Sequence, residues 1–511
     1  MNRHRLLLAI ILIYAAGFRL MVLDRPFDYD AEGSSCLYGV LARNYLRFPW
    51  AQTHGMPVLT VGQSSDAPIV FYRDHPPLVP LLIVPFYALF GVGEWQTRLP
   101  FSLITLAAVY VLYRLMARTA TPRVGLIAAA LLAATPMTLY FGGFPDVIGM
   151  PLLLFVLLSV TAYLQFHRDP GVATLAPFIT AFMVAGVCDW EAYIIVPVLL
   201  THFVATKPFR QWPWIVAFCV AACAVFAAVY VYIALATGSP WDWMVPLFSR
   251  RSAIVGENRF TLAQWLRAAL AFNRTYHTIA LLFTAAVWIV MFGWRFRRAD
   301  TGATVARLLL AWGVLYVLIG SKAVYDHEWP WMLLTPGIVV ATTLFIEWIL
   351  DAAADRGFAR AVSGIVAVLV VCFASWSAYG TFKLLYPVER PRPETPMEMG
   401  RAIQAAAPTL GDVALLVTGE EAEPQLWFYG DRPLRTTVWS VYDFERRLRD
   451  DAVDLMYDFE VQPWKAAATG IVFPRSWKGG AYRAYLVQRY PLTKLPPDLA
   501  GKFDVFDLRD R

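Results

Sequence analysis

Apolar blocks of 17 to 26 residues recur along this chain, and most are closed by arginine or lysine. A membrane-crossing helix needs about 20 apolar residues, within a range of about 17–25. Eleven such spans are predicted: 5–23, 99–117, 123–141, 147–165, 172–188, 190–206, 213–236, 276–294, 303–320, 329–350 and 361–386. A soluble core does not absorb blocks of that length. The composition agrees, with 58% hydrophobic and only 16% charged residues, against about 25% charge in soluble domains. This excludes an ordinary soluble enzyme, a disordered chain and a disulfide scaffold. Four of the five cysteines (Cys188, Cys219, Cys223, Cys372) lie in or beside apolar blocks, as small hydrophobes do, and their spacing suits no zinc site. The net charge of +6 comes from arginines scattered at block ends. That is a membrane pattern and not a nucleic-acid footprint.

The first block follows Met1-Asn2-Arg3-His4-Arg5 and lacks a small-residue cleavage site after it, so it reads as an anchor. A further stretch, 78–92, is short and holds Pro80 and Pro85. Positive-inside counting decides its role. If it does not cross, Arg3, Arg5, Arg114, Arg118, Arg123, Arg168, Lys207, Arg210, Arg295, Arg297, Arg298, Arg356 and Arg360 all face the cytoplasm. If it crosses, the bias reverses. Residues 78–92 are therefore expected to be a re-entrant or juxtamembrane helix. The fold class is then an α-helical polytopic membrane protein over 1–389, with outer loops at 24–98 and 237–275. Residues 390–511 form a small extracytoplasmic α/β domain. In that domain 412–417 and 484–487 read as strands, 426–429 as a short apolar run, and 440–445 as the opening of a helix.

This topology gathers the acids on one side. Asp28, Asp30 and Glu32 follow the first span, Asp146 follows the third, Asp189 and Glu191 flank Trp190 in a tight turn, and Asp326 and Glu328 bracket His327. Carboxylates at membrane depth are costly and tend to be kept for a site or a partner. In Phe27-Asp28-Tyr29-Asp30-Ala31-Glu32-Gly33, two acids two residues apart share a face only if the segment is extended. Asp30 and Glu32 then point into one site, one taking a proton and the other orienting it or holding a divalent cation. A solvated loop next to a helix start is the alternative.

Arg73-Asp74-His75-Pro76-Pro77 stiffens the next loop and biases His75 to an extended conformation. It reads as a helix N-terminus, with His75 or Arg73 aimed at an anionic ligand. Asp146 reads as the N-cap of the fourth span or as a site residue. Asp189-Trp190-Glu191 reads chiefly as a turn with an interfacial tryptophan. In Lys322-Ala323-Val324-Tyr325-Asp326-His327-Glu328-Trp329, the Lys, Tyr and His together suit a phosphate. A snorkelling lysine beside an aromatic belt is the other reading. Loop 237–275 carries Arg250, Arg251, Arg259, Arg267 and Arg274 among tryptophans, as an amphipathic, lipid-facing segment with phosphate-binding arginines would.

Several of these features occur together with Leu41-Ala42-Arg43-Asn44-Tyr45-Leu46, His75-Pro76-Pro77-Leu78 and Phe90-Gly91-Val92-Gly93-Glu94-Trp95. In this the chain resembles bacterial membrane glycosyltransferases of the GT-C superfamily, related to protein mannosyltransferases and the lipid A aminoarabinose transferase. The resemblance implies a polyprenyl-phosphate-linked sugar donor, transfer outside the cytoplasm, and inversion at the anomeric centre. It implies an acid of the first outer loop as base, here Asp30 with Glu32 as runner-up, beside Asp28. It places Arg43, Arg73, His75, Asp146, Lys322, Tyr325, His327 and Glu328 in substrate binding. The cofactor such a site admits is a divalent cation, Mg2+ or Mn2+, on Asp30, Glu32 and Asp146.

The expected function is therefore an inverting glycosyltransferase in a bacterial inner membrane. Its expected partners are a polyprenyl-phosphate-linked sugar, membrane lipids and a glycan, lipid or protein acceptor. The chemistry agrees: a polyprenyl phosphate leaves readily, whereas a hydroxyl acceptor needs a carboxylate near its proton. The alternatives are a lipid-linked glycan ligase and a transporter or flippase. A transporter would place charges near mid-span in related halves, and the spans carry almost none.

Overall fold

The computed structural model describes residues 3–27, 32–62, 69–146, 148–252, 260–293, 301–386, 395–410, 415–417, 423–432, 434–436, 440–441, 444, 453–457, 460–464, 469–476 and 480–509. In chain order, α1 (Arg3–Val22) precedes α2 (Gly33–Arg47), the one-turn α3 (Trp50–Thr53), α4 (Leu78–Phe90) and α5 (Glu94–Thr119). Next come α6 (Pro122–Ala134), α7 (Pro136–Phe141), α8 (Met150–Arg168), α9 (Val172–Cys188), α10 (Ile195–Thr206) and α11 (Trp212–Thr237). They are followed by α12 (Met244–Arg251), α13 (Leu262–Tyr276), α14 (Ile279–Trp288), α15 (Thr301–Ile319), α16 (Ser321–Asp326), α17 (Thr335–Ala354) and α18 (Ala359–Leu385). The chain divides into two units. Unit 1 is Met1–Leu23, Asp74–Val79 and Arg98–Pro387; unit 2 is Asp24–Arg73, Pro80–Thr97 and Val388–Arg511.

Among the described residues, seven helical segments are long and apolar enough to cross a membrane: Arg3–Val22, Glu94–Thr119, Met150–Arg168, Phe209–Thr237, Thr301–Ile319, Trp329–Ala354 and Ala359–Leu385. They coincide with seven of the eleven predicted spans. The other four fall short, for separate reasons. Block 123–141 breaks into α6 and α7 at Pro136, which offers no N–H and holds Thr135 extended at φ −63°, ψ 131°. Block 172–188 is an unbroken helix of 17 residues, at the lower limit of a crossing. Block 190–206 opens with a 3₁₀ turn, Trp190–Ile194, leaving 12 residues for α10. In block 276–294, α14 runs into a π turn, Ile289–Gly293, and lies at 106° to α13 across a break that holds Thr278 at φ 68°. Counting that bent pair as one span gives eight. Helix α4 has 13 residues with Pro85 inside, too few to cross alone.

Lipid tails are as apolar as leucine, so the helices of unit 1 associate by close packing and buried polar contacts. Phe178 stacks on Phe218 at 4.0 Å between α9 and α11, and Phe166 on Phe203 between α8 and α10. Between α15 and α17 the backbones approach closely. A Cβ on Gly337 would lie 2.7 Å from Leu310 N, so only glycine fits there.

In unit 2, α19 (Pro396–Leu410), β1 (Leu415–Val417), α20 (Glu423–Gly430), β2 (Leu434–Thr436), β3 (Val453–Tyr457), β4 (Glu460–Trp464), β5 (Gly470–Pro474), α21 (Gly480–Arg489), α22 (Pro497–Ala500) and β6 (Phe503–Asp507) follow one another. The main sheet has the order β2-β1-β5-β6; β1 is parallel to β2 and β5, and β6 is antiparallel to β5. Strands β3 and β4 form a separate antiparallel pair. The apolar run 426–429 lies in α20. The expected strand at 484–487 is instead the middle of α21. Tyr482 and Leu486, four residues apart, are its buried residues, which is helical periodicity and not strand alternation. They pack on Phe444, Ile471, Phe473 and Phe506. Helix α2 joins this unit through Arg43, which donates to the carbonyls of Phe428 (3.0 Å) and Trp427 (3.1 Å) and pairs with Asp431 at 2.8 Å.

Candidate active site

The site in unit 1 is built where short helical breaks bring polar side chains to the ends of apolar helices. His75 sits in a bend just before α4, followed by Pro76 and Pro77. Asp189 caps the 3₁₀ turn between α9 and α10, accepting from Trp190 N at 2.8 Å. Trp190 Nε1 donates to Asp74 O at 3.0 Å, which fastens this turn to the His75 loop. Helix α12 brings in Arg250 and Arg251.

These elements converge on His75, which is 3% exposed. Its Nδ1 lies 2.7 Å from Asp189 Oδ1, and Arg251 Nη2 lies 2.5 Å from its Nε2. A guanidinium only donates, so Nε2 accepts and the ring proton sits on Nδ1, donating to Asp189. The imidazole is therefore neutral. Burial, then the Arg251 charge, push its pKa down to about 3. Burial pushes Asp189 up to about 6, and the Asp146 carboxylate adds to the rise. Arg251 Nη1 also reaches Glu191 Oε1 at 3.4 Å, and Trp312 Nε1 donates to the Glu191 carbonyl at 3.2 Å.

His75, Asp189 and Glu191 offer ligand atoms within 4.8 Å of one another, all buried. Asp189 Oδ2 and Glu191 Oε2 are buried without a hydrogen-bond partner. Two orphaned carboxylate oxygens beside an imidazole fit a divalent cation. These three residues would hold it. Bound there, it would supply positive charge for an anionic substrate group. This ligand set differs from the expected Asp30, Glu32 and Asp146.

The remaining expected residues are distributed as follows. Asp28 and Asp30 lie outside the described residues. Glu32 is fully buried in unit 2 and accepts from Arg25 Nη2. Arg43 is engaged within unit 2 by Asp431 and α20. Arg73 is half-buried in unit 2. Asp146 is buried in unit 1, and its Oδ1 accepts from Ile148 N at 3.0 Å. Lys322, also buried, donates to Ser249 O at 3.0 Å, which ties α16 to α12. Tyr325 stacks on Phe260 at 4.4 Å and His327 on Trp329 at 4.1 Å. Glu328 is half-buried, and burial raises its pKa.

The site thus unites His75 with Asp189 and Glu191, two of the outer acids that the sequence places chiefly in a turn, and with Arg251, one of the arginines it places in a lipid-facing, phosphate-binding loop. The signal for the acids was present in the Asp-x-Glu spacing at the end of an apolar block.

Residues 74–237 match the family model described as dolichyl-phosphate-mannose-protein mannosyltransferase. The fold is shared with ArnT from Cupriavidus metallidurans, solved bound to undecaprenyl phosphate. The TM-score is 0.62 at 16% identity, over 98% of this chain and 97% of that one. It is also shared with the oligosaccharyltransferase AglB from Archaeoglobus fulgidus, solved with an inhibitory peptide and a dolichol-phosphate. Here the TM-score is 0.59 at 12% identity, over 96% of this chain and 72% of that one. No curated protein sequence matches significantly. The comparisons bear out the resemblance to GT-C membrane glycosyltransferases read from the sequence.

Proposed function

We propose that this chain is an inverting glycosyltransferase that moves a sugar from a polyprenyl-phosphate-linked donor to an extracytoplasmic glycan, lipid or protein. The observation that carries this reading is the cluster of buried His75, Asp189 and Glu191 with the partly exposed Arg251, in a helical unit with the ArnT fold. An apolar body with a polar, charged end suits a substrate that is lipid at one end and phosphate-sugar at the other.

In the reaction, the acceptor oxygen forms a bond to the anomeric carbon from the face opposite the phosphate. The bond from that carbon to the phosphate oxygen breaks, and the electron pair leaves with the polyprenyl phosphate. The acceptor proton passes to a carboxylate, for which Asp30 is the assignment. Arg251, Lys322 and His327 are the groups of unit 1 suited to the charge growing on the leaving phosphate. Their neighbours Asp146, Tyr325 and Glu328 are assigned to the sugar and acceptor hydroxyls.

Counting α6 with α7, α9, α10 and α14 as crossings completes eleven spans. With α4 re-entrant or juxtamembrane, the arginine bias then sets the site and residues 390–511 on the periplasmic side of an inner membrane. The test is single-turnover transfer from an undecaprenyl-phosphate sugar by purified protein. Asp30→Asn should lose transfer while keeping its melting temperature. Full activity in that variant would overturn Asp30 as base, and no transfer by wild type across a panel of lipid-linked sugars would overturn the reading.

A further inference from the structure

A cavity lies towards the opposite ends of the helices that carry the site. Helix α8 begins next to Asp146 and ends at Arg168, α10 begins just after Glu191 and ends at Thr206, and α15 ends close to Lys322 and begins at Thr301. The 19 residues of α8 alone separate its ends by about 28 Å. Among these far ends is a cavity of about 1660 Å³. That exceeds the ~300–1,000 Å³ of a small-molecule site.

Its lining has two parts. One is cationic: Arg118, Arg168, Lys207 and Arg307, with His167 and His202 between them. Among the described lining residues there is no Asp or Glu. The other part is an apolar wall that includes Val198, Leu308, Leu315 and Leu318 and runs along most of α15. The wall is not sealed: Val314 and Leu318 line it and are themselves exposed, on a helix long and apolar enough to cross a membrane. The two histidines are fixed by local partners, His167 Nε2 by Thr206 Oγ1 at 2.7 Å and His202 Nδ1 by the Tyr163 hydroxyl at 2.6 Å.

We infer that this cavity binds an anionic phospholipid, with its phosphate among Arg118, Arg168, Lys207 and Arg307 and its acyl chains along α10 and α15. Arginine forks match phosphate oxygens, and basic pockets between membrane helices on the cytoplasmic side favour anionic headgroups. The leaflet rests on the topology proposed above; the headgroup chemistry does not. The bound lipid braces α10 against α15, whose Trp312 Nε1 donates to the carbonyl of Glu191 in the 3₁₀ turn that leads into α10.

The test is native mass spectrometry of the detergent-purified full chain, with dioleoylphosphatidylglycerol, dioleoylphosphatidylcholine, glycerol 3-phosphate and undecaprenyl phosphate as separate probes. Phosphatidylglycerol should be retained at least tenfold over phosphatidylcholine, and glycerol 3-phosphate should not be retained. The triple variant Arg118→Gln/Arg168→Gln/Lys207→Gln should lose this preference. Leu315→Trp, which fills the tail channel and keeps every charge, should lose retention as well, so a folding failure of the triple variant does not decide the matter. Asp189→Asn should retain phosphatidylglycerol as wild type does. Equal retention of the two phospholipids, unchanged retention in Leu315→Trp, stronger retention of undecaprenyl phosphate, or loss in Asp189→Asn would each overturn the proposal. None of these readouts depends on glycosyl transfer, so failure here and failure of the transferase reading are separable.

Discussion

His75 Nδ1 donates to Asp189 Oδ1 across 2.7 Å, and both side chains are buried. Burial displaces the two groups in opposite directions: the imidazole is pushed down to about 3 and the carboxyl up to about 6. Stability linked to His75 is fully present above its unfolded value of about 6.5 and is lost as pH falls towards 3. Stability linked to Asp189 is present below its unfolded value of about 3.9 and is lost as pH rises through 6. The two slopes oppose each other between about pH 4 and 6. Removing either partner should expose the other. His75→Gln should melt at a higher temperature at pH 4.5 than at pH 6.5. Asp189→Asn should do the reverse. Parallel pH profiles of melting temperature in the two variants would refute the pairing.

Arg251 bridges His75 and Glu191 while keeping 28% of its side chain exposed. Breaking a fully buried ion pair costs about 3–5 kcal/mol. Here the contact is long, at 3.4 Å, and partly screened. Arg251→Gln should therefore destabilise the protein by about 1–2 kcal/mol. Glu191→Gln in the same chain should recover most of that, because no uncompensated carboxylate remains. Additive losses in the double-mutant cycle would show that the two side chains do not interact.

Sequence and structure agree where a local rule is strong. The seven long spans follow from uninterrupted apolar length. Three of the four shorter blocks hide a break, because Pro136, the 3₁₀ turn at Trp190–Ile194 and Thr278 act through backbone geometry that hydropathy does not register. Residues 484–487 are β-like in composition, yet the burial of Tyr482 and Leu486 against Phe444 and Phe473 makes them helical. Asp189 and Glu191 were visible as acids at an apolar boundary. Their partner Arg251 is 60 residues further along the chain, and no local pattern joins the two.

A divalent cation at His75, Asp189 and Glu191 is repelled by the Arg251 charge, which also engages His75 Nε2 and Glu191 Oε1. One unit charge at about 4 Å is worth about 4 kcal/mol at an effective dielectric of 20. Even a fraction of that shifts affinity about tenfold. Arg251→Gln should bind Mn2+ at least tenfold more tightly than wild type by isothermal titration, and Asp189→Asn should bind it more weakly. Unaltered Mn2+ affinity in both variants would remove these residues as ligands.

Glu32 tests which acid of the first loop does chemistry. Its side chain is fully buried and accepts from Arg25, whose own side chain is 4% exposed. A carboxylate in that setting is engaged by a cation. Glu32→Gln should remove a buried carboxylate from beside the Arg25 guanidinium and destabilise the protein by about 3 kcal/mol. That loss would lower activity whatever the role of Glu32, so the single variant does not discriminate. Arg25→Met with Glu32→Leu replaces the pair by apolar groups of similar volume, an exchange that is often neutral or stabilising. The double variant should melt near wild type and retain turnover if Asp30, the base proposed above, takes the proton. If it folds but transfers no sugar, Glu32 is the base, and its pairing with Arg25 must open in the substrate complex.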